Sequence, residues 1–120
     1  VPWDKVHSVG SVDDPSGPHL ERVASCVDVE SIRRRAFKVV LDANHASGAV
    51  FGPRLLEFLG CKVTILGAEP DGRFEHEPEP IEQNLQGLAR TTKSLGADVG
   101  FATDPDADRL ALVDETGRYI

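Results

Sequence analysis

Two apolar runs, "DVGFAT" (Asp98–Thr103) and "LALVD" (Leu110–Asp114), are separated only by "DPDADR" (Asp104–Arg109). A parallel return between neighbouring strands needs a crossover of roughly a dozen or more residues, so these two strands must run antiparallel. Upstream the rhythm differs. "FKVVL" (Phe37–Leu41) reads as a buried strand and "KVTIL" (Lys62–Leu66) as the next. Between them "GAVFGPRLLEFLG" reads as a helix with Leu55, Leu56 and Leu59 on its apolar side. Pro53 belongs in a first helical turn, which sets the start of that helix no earlier than about Ala49, and Gly60 stops it. A further helix is expected to begin near Pro80, with Leu85, Leu88, Ala89, Thr92 and Leu95 on one stripe and Gly96 as its stop. Strand, helix, strand, helix, strand implies parallel neighbours joined by right-handed crossovers. The expected fold is therefore an α/β chain, a three-layer α/β/α sandwich on a mixed four-stranded sheet. Its strand order is expected to be 2-1-3-4, with strand 4 antiparallel.

Ahead of this pattern, residues 1–18 carry Pro2, Gly10, Pro15, Gly17 and Pro18 and read as a linker or lead-in from a preceding domain, leaving 19–120 as the folded unit. Leu20, Val23, Ala24 and Val27 recur at helical spacing, and Asp28 is placed to cap a second helix through "VESIRRR". The arginines at the end of that helix suit its negative pole and are read as a solvated face. At 120 residues the chain accommodates one ordinary domain. It contains no methionine, begins "VPWDKV" and ends "DETGRYI" in what reads as a turn with its second strand barely begun, so a piece of a longer polypeptide is expected.

The net charge of −7 argues against electrostatic capture of nucleic acid or an anionic membrane. It leaves phosphate ligands open, because a bound cation inverts the local charge. No apolar run approaches the roughly 20 residues of a membrane-spanning helix. Cys26 and Cys61, the two cysteines, sit in apolar stretches, which fits a reducing, cytoplasmic setting better than a disulfide framework.

Chemistry concentrates between the third and fourth strands. Asp104, Asp106 and Asp108 alternate along the connection, and like charges that close disfavour one another's ionised forms unless something compensates them. Alternate carboxylates leaving a strand end can converge on one point, and hard oxygen donors select magnesium, calcium or manganese. The loop lies at the carboxyl end of the third strand, the edge where open α/β sheets keep their ligands. Arg109 sets a fixed guanidinium beside the acids, a suitable partner for a phosphate that also touches a metal. The spacing alone leaves three other readings open. One is an acidic surface hairpin in which Asp104 and Asp108 satisfy backbone donors. A calcium-binding module is another, although Arg109 stands where the EF-hand template asks for glycine and strands replace its helices. The third is an aspartyl-phosphate enzyme with Asp104 as nucleophile, which leaves Asp108 and Arg109 unexplained.

Two neighbouring stretches invite chemical readings and receive structural ones. In "NHASG" (Asn44–Gly48), Ser47 and Gly48 are read as capping or opening a helix, with anion binding by their amides as the less favoured alternative. "HEPEP" surrounds His76 with Glu75, Glu77 and Glu79, and is read as a proline-stiffened acidic loop rather than a second metal cluster.

Taken together, "ADVGFATDPDADRLALVDETG", "FKVVLDANHASGAVFGPRLLEFLGCKV" and "DGRFEHEPEPIEQNL" resemble, in the right succession, the second domain of the α-D-phosphohexomutases, the family of phosphomannomutases, phosphoglucomutases and phosphoglucosamine mutases. The resemblance covers roughly residues 19 to 117. Pro105 and Ala107 stand where many members carry glycine. It implies an α/β/α unit with a mixed sheet, in agreement with the topology argued above. It implies an isomerase that interconverts hexose 1-phosphates and hexose 6-phosphates, using a phosphoserine as donor and passing through a bisphosphate intermediate. Asp104, Asp106 and Asp108 match the residues that hold Mg2+, and Arg109 matches a residue that contacts the phosphate. The family's serine motif, roughly T-A-S-H-N-P, is not found in this chain. The 120 residues alone are therefore expected to be inactive, with the other domains of the same polypeptide as partners and a hexose phosphate as substrate. The sugar-recognition loops belong to later domains, so which hexose is bound is not readable here.

Overall fold

The computed structural model describes Lys5 and residues 10–120. Of the lead-in expected over 1–18, residues 1–4 and 6–9 lie outside the described residues. Its last two positions already belong to helix α1 (Gly17–Ala24), because Pro18 in the first turn costs no hydrogen bond and pre-sets a helical φ. Val27 falls beyond this helix and is exposed. Helix α2 (Val29–Arg35) begins where expected. The Asp28 carboxylate accepts from the Ser31 amide at 3.0 Å, Arg33–Arg35 crowd the last turn, and Ala36 closes the helix in the left-handed region at φ 48°.

The remaining elements are β1 (Lys38–Asp42), α3 (Gly48–Phe58), β2 (Lys62–Leu66), α4 (Gln86–Leu95), β3 (Val99–Thr103) and β4 (Leu110–Asp114). The sheet order is β2-β1-β3-β4. Strand β1 pairs in parallel with β2 and β3, setting Val40 beside Thr64 and Gly100, and β3 pairs antiparallel with β4, setting Phe101 opposite Leu112. The mixed sheet and its order are those expected. As the central strand, β1 buries four successive residues, so it reads as a continuous apolar run without alternation.

Helix α4 covers one face, where Val40, Leu85, Leu88, Ala97, Ala102, Ala111 and Val113 form the core cluster. Helix α3 covers β1 and β2 on the other face. Small residues set both distances. A Cβ on Gly100 would stand 2.5 Å from Thr92 Oγ1 and 2.9 Å from Leu88 Cδ1, and one on Gly52 would stand 2.7 Å from Leu41 Cδ2, so at either position the facing side chain or the helix would have to shift.

Several boundaries differ from expectation, among them that of β3, which starts at Val99 rather than Asp98. Strand β1 is shifted by one residue, leaving Phe37 outside and including Asp42. Helix α3 starts one residue early, at Gly48, which places Pro53 in its second turn. The first turn is closed by short bonds from Ala49 N to Ala46 O and from Val50 N to Ser47 O, and the chain forfeits only the bond that the Pro53 nitrogen would donate. Helix α4 starts at Gln86 rather than near Pro80. Residues 81–85 spend their amides on tight turns, with Asn84 N donating to Ile81 O and Leu85 N to Glu82 O. Leu85, Leu88 and Thr92 are buried as the stripe requires, but Leu95 is 51 % exposed, because it lies in the last turn just before Gly96 swings the chain away at φ 57°. Among the described residues no helix is long and apolar enough to cross a membrane. Cys26 and Cys61 are both free thiols.

Candidate functional site

Three connections meet at the carboxyl edge of the parallel strands: Ala43–Ser47 after β1, the long loop of residues 67–85 after β2, and Asp104–Arg109 after β3. The last is tight. Ala107 N donates to Asp104 O at 3.0 Å, and Ala107 itself is left-handed at φ 58°. This turn brings the alternate aspartates toward one another. One carboxylate oxygen from each of Asp104, Asp106 and Asp108 lies within 4.8 Å of the others. Asp104 is 1 % exposed, whereas Asp106 and Asp108 face solvent.

The three acids differ in their partners. Asp104 Oδ1 accepts from the Arg109 amide at 3.1 Å and Oδ2 from Arg109 Nε at 2.7 Å. Burial opposes the charge on Asp104, but the side-chain and backbone hydrogen bonds from Arg109 outweigh it, and the carboxyl sits below its ordinary value. For Asp108 the negative charges of Asp106 and then Asp104 dominate and hold the carboxyl above its ordinary value, against the weaker pull of Arg109. The turn is thus a set of crowded, unevenly compensated acids offering oxygen alone, the donor chemistry of a hard divalent cation.

Arg109 leans across this turn. Its Nη1 donates to Glu79 Oε1 of the long loop, its Nε to Asp104, and Asp108 lies 3.7 Å away. All four residues expected to act together are therefore brought together, and Glu79 joins them. Nothing in the expected role of "HEPEP" pointed to this, since Glu79 stands 30 positions from Arg109 in sequence. His76, the other candidate in that stretch, is not part of the acid group. Its ring lies 3.2 Å from Asp42 Oδ2. Burial raises the Asp42 carboxyl above its ordinary value, and the charge of and hydrogen bond with His76 only partly offset this.

Ser47 behaves differently from a helix cap. It occupies the N-cap position of α3, but its hydroxyl donates to Pro105 O at 2.7 Å and its amide donates to the same oxygen at 3.2 Å. The start of α3 thereby anchors the aspartate loop. With the Ser47, Ala49 and Val50 amides all engaged by backbone acceptors, little donor capacity remains there for an anion. Gly48 allows the anchor to form, because a Cβ there would collide with Thr103 Oγ1 at 2.2 Å.

Asn44 is the other residue that the sequence left without a role. It is buried and left-handed at φ 45°, and its side chain serves as a two-sided splint. Nδ2 donates to His76 O at 2.9 Å, and Oδ1 accepts from Glu75 N at 2.9 Å and His76 N at 3.3 Å. A positive φ is several-fold more frequent for asparagine than for most residues, so the "DANH" that follows a buried strand was the available signal.

The family description "Phosphoglucomutase/phosphomannomutase, alpha/beta/alpha domain II" matches residues 17–117. A phosphoglucomutase/phosphomannomutase of Thermococcus kodakarensis is 43 % identical over 119 residues, which are 98 % of this chain and 26 % of that protein. A protein of Methanobrevibacter smithii named "probable phosphoglucosamine mutase" is 37 % identical over 118 residues, again 98 % of this chain and 26 % of the relative. The chain thus spans about a quarter of the length of the curated relatives it matches. Among solved structures, a phosphoglucomutase/phosphomannomutase family protein from Burkholderia thailandensis is 32 % identical with a TM-score of 0.67, over 84 % of this chain and 22 % of that one. A putative phosphomannomutase from Thermus thermophilus, 24 % identical over 93 % of this chain and 26 % of its own, has a TM-score of 0.79 and bears on the fold alone. With the sheet order, the tight β3–β4 connection and the sequence match all in agreement, the chain belongs to the phosphoglucomutase/phosphomannomutase family, to which it contributes the α/β/α domain II.

Proposed function

We propose that the chain supplies the metal-binding part of a phosphohexomutase catalytic site, in which Asp104, Asp106 and Asp108 hold Mg2+ and Arg109 contacts the phosphoryl group. The observation that carries this is the convergence of one oxygen from each aspartate within 4.8 Å, with a guanidinium alongside. A bound Mg2+ would supply neutralisation of the charge on the phosphoryl oxygens, the chief need in phosphoryl transfer. The protein's own contribution is positional. Asp104, held by two bonds from Arg109 and buried at the end of β3, fixes the floor of the site. Asp106 and Asp108 keep exposed carboxylates on the side from which a ligand would come. Arg109 is permanently charged and presents N–H donors in a planar fork suited to phosphate.

The parent enzyme is then an isomerase that converts hexose 1-phosphate to hexose 6-phosphate, with its phosphoserine and its sugar contacts on other domains of the polypeptide. The competing readings fit less well. Strands β3 and β4 flank the loop where an EF-hand has helices, and Asp104, buried with both oxygens engaged by Arg109, is poorly placed as a nucleophile.

In the intact enzyme Asp106→Asn should cut turnover at least a hundredfold and weaken Mg2+ binding, while the melting temperature stays within a few degrees. Unchanged turnover would remove Asp106 from the site. The 120-residue chain should bind Mg2+ weakly by titration calorimetry, and tight Ca2+ binding with no response to Mg2+ would favour the calcium module.

A further inference from the structure

The long loop after β2 is built with more care than a spacer requires, and its best-placed side chain is Glu79. Pro78 and Pro80 bracket Glu79 and fix the backbone on either side of it. The Glu79 carbonyl accepts from the Asn84 side chain at 2.8 Å and the Ile81 amide at 2.9 Å. Upstream, the Asn44 splint and the contact between His76 and Asp42 tie residues 75 and 76 to the end of β1. The loop is therefore anchored on both sides of Glu79, and what it presents to the aspartate turn is one carboxylate against Nη1 of Arg109.

The consequence for Arg109 is geometric. Its side chain is 53 % exposed, so packing does not fix its rotamer. Asp104 engages Nε and Glu79 engages Nη1, two points that define the plane and direction of a rigid guanidinium. Among the described residues Nη2 meets no hydrogen-bond acceptor, and its N–H groups remain available. An arginine held this way meets an incoming phosphate without first losing its own rotamer freedom, which lowers the cost of forming the contact.

We infer that Glu79 is a positioning residue for phosphoryl transfer, holding the Arg109 guanidinium in its phosphate-facing orientation from the opposite loop. The inference rests on the reading that Arg109 meets the phosphoryl group. Glu79 lies outside the group of three aspartates, and its link to the site runs through Arg109.

The test uses the full-length mutase. Glu79→Ala should lower kcat about tenfold, leave KM for the hexose phosphate within twofold, and leave the melting temperature within about 2 °C of the parent. Glu79→Gln, which can still accept from Nη1, should recover most of the lost kcat. In an Arg109→Ala background, adding Glu79→Ala should cost no more than a further twofold, because the group it orients is gone. A nitrogen-15 spectrum should show the Arg109 Nε–H resonance broadened or shifted in Glu79→Ala, independently of turnover. Equal kcat in Glu79→Ala and the parent, or tenfold losses that simply multiply in the double variant, would overturn the inference. If Asp106→Asn still abolishes turnover in that case, the proposed metal site survives and only the role of Glu79 falls.

Discussion

Gly67 is the hinge on which the architecture of the site turns, and replacing it with alanine gives a quantitative trial of the packing argument. It follows β2 directly, adopts φ 64°, and its carbonyl accepts from His45 N at 3.0 Å, so the start of the long loop lies against the connection after β1. A Cβ at this position would stand 2.5 Å from His45 N, 2.7 Å from Asn44 N and 2.8 Å from Asn44 Cα. These are backbone atoms, which no rotamer change can clear. A left-handed residue with a Cβ costs roughly 1–2 kcal/mol, and forcing apart a well-packed contact costs typically about 1–3 kcal/mol more. Gly67→Ala should therefore destabilise the domain by about 2–5 kcal/mol, a large share of the roughly 5–15 kcal/mol by which a domain is stable. At this chain length each kcal/mol moves the melting point by roughly 4 °C, so a fall of about 8–20 °C is expected. The control is Gly87→Ala in α4, where the added Cβ meets nothing within 4 Å. There the helix gains about 0.5–1 kcal/mol from the lost flexibility of glycine, and the melting point should rise by a few degrees. Circular dichroism melts and urea midpoints of the two variants measure both. A loss of less than about 1 kcal/mol in Gly67→Ala, or a shift of stability in the same direction by the two changes, would refute the argument from the close approach of the two loops.

Other expectations follow from single groups. Thr92 is fully buried and among the described residues its hydroxyl meets no partner, so Thr92→Val removes an unpaired polar atom at nearly constant shape and should raise stability by about 1–2 kcal/mol in urea titration. A loss there would mean that the approach to Gly100 is too tight for a methyl group. The Ser47→Ala variant gives up the hydroxyl bond to Pro105 O, worth about 1 kcal/mol, and should speed amide hydrogen exchange at Ala107 and Arg109 several-fold, with protection elsewhere in the sheet intact. For His45, the Glu75 carboxylate first and the Glu69 carbonyl second raise the imidazole above its ordinary value of 6.5. The folded state thus favours the imidazolium, its stabilisation is full below pH 6.5, and it fades as the pH rises through the elevated value. Melts at pH 6 and pH 8 should show a larger drop in the parent than in His45→Gln. Equal drops would mean that the contact between His45 and Glu75 adds nothing.

What could be read in advance follows the range of each interaction. The antiparallel β3–β4 pair was legible because its reason is covalent: so few residues between strands permit no crossover. The aspartates and Arg109 were legible as a group because they share that one turn, where sequence proximity guarantees spatial proximity. Helix boundaries were less legible, since the start of α4 depends on whether residues 81–85 spend their amides on turns or on a helix, and periodicity of Leu85, Leu88 and Thr92 is the same in either case. Ser47, Asn44 and Glu79 were illegible for a different reason. Each acts on a residue of another loop, 58, 32 and 30 positions away respectively, and such pairs exist only after β1, β2 and β3 have come side by side. The order of the parallel strands therefore determines more than the shape of the sheet. It places the ends of β1 and β3 next to each other, so that a hydroxyl written into the start of one helix can hold the turn after another strand. A local motif can nominate the acids, but only the crossover topology supplies the second and third loops that fix where they point.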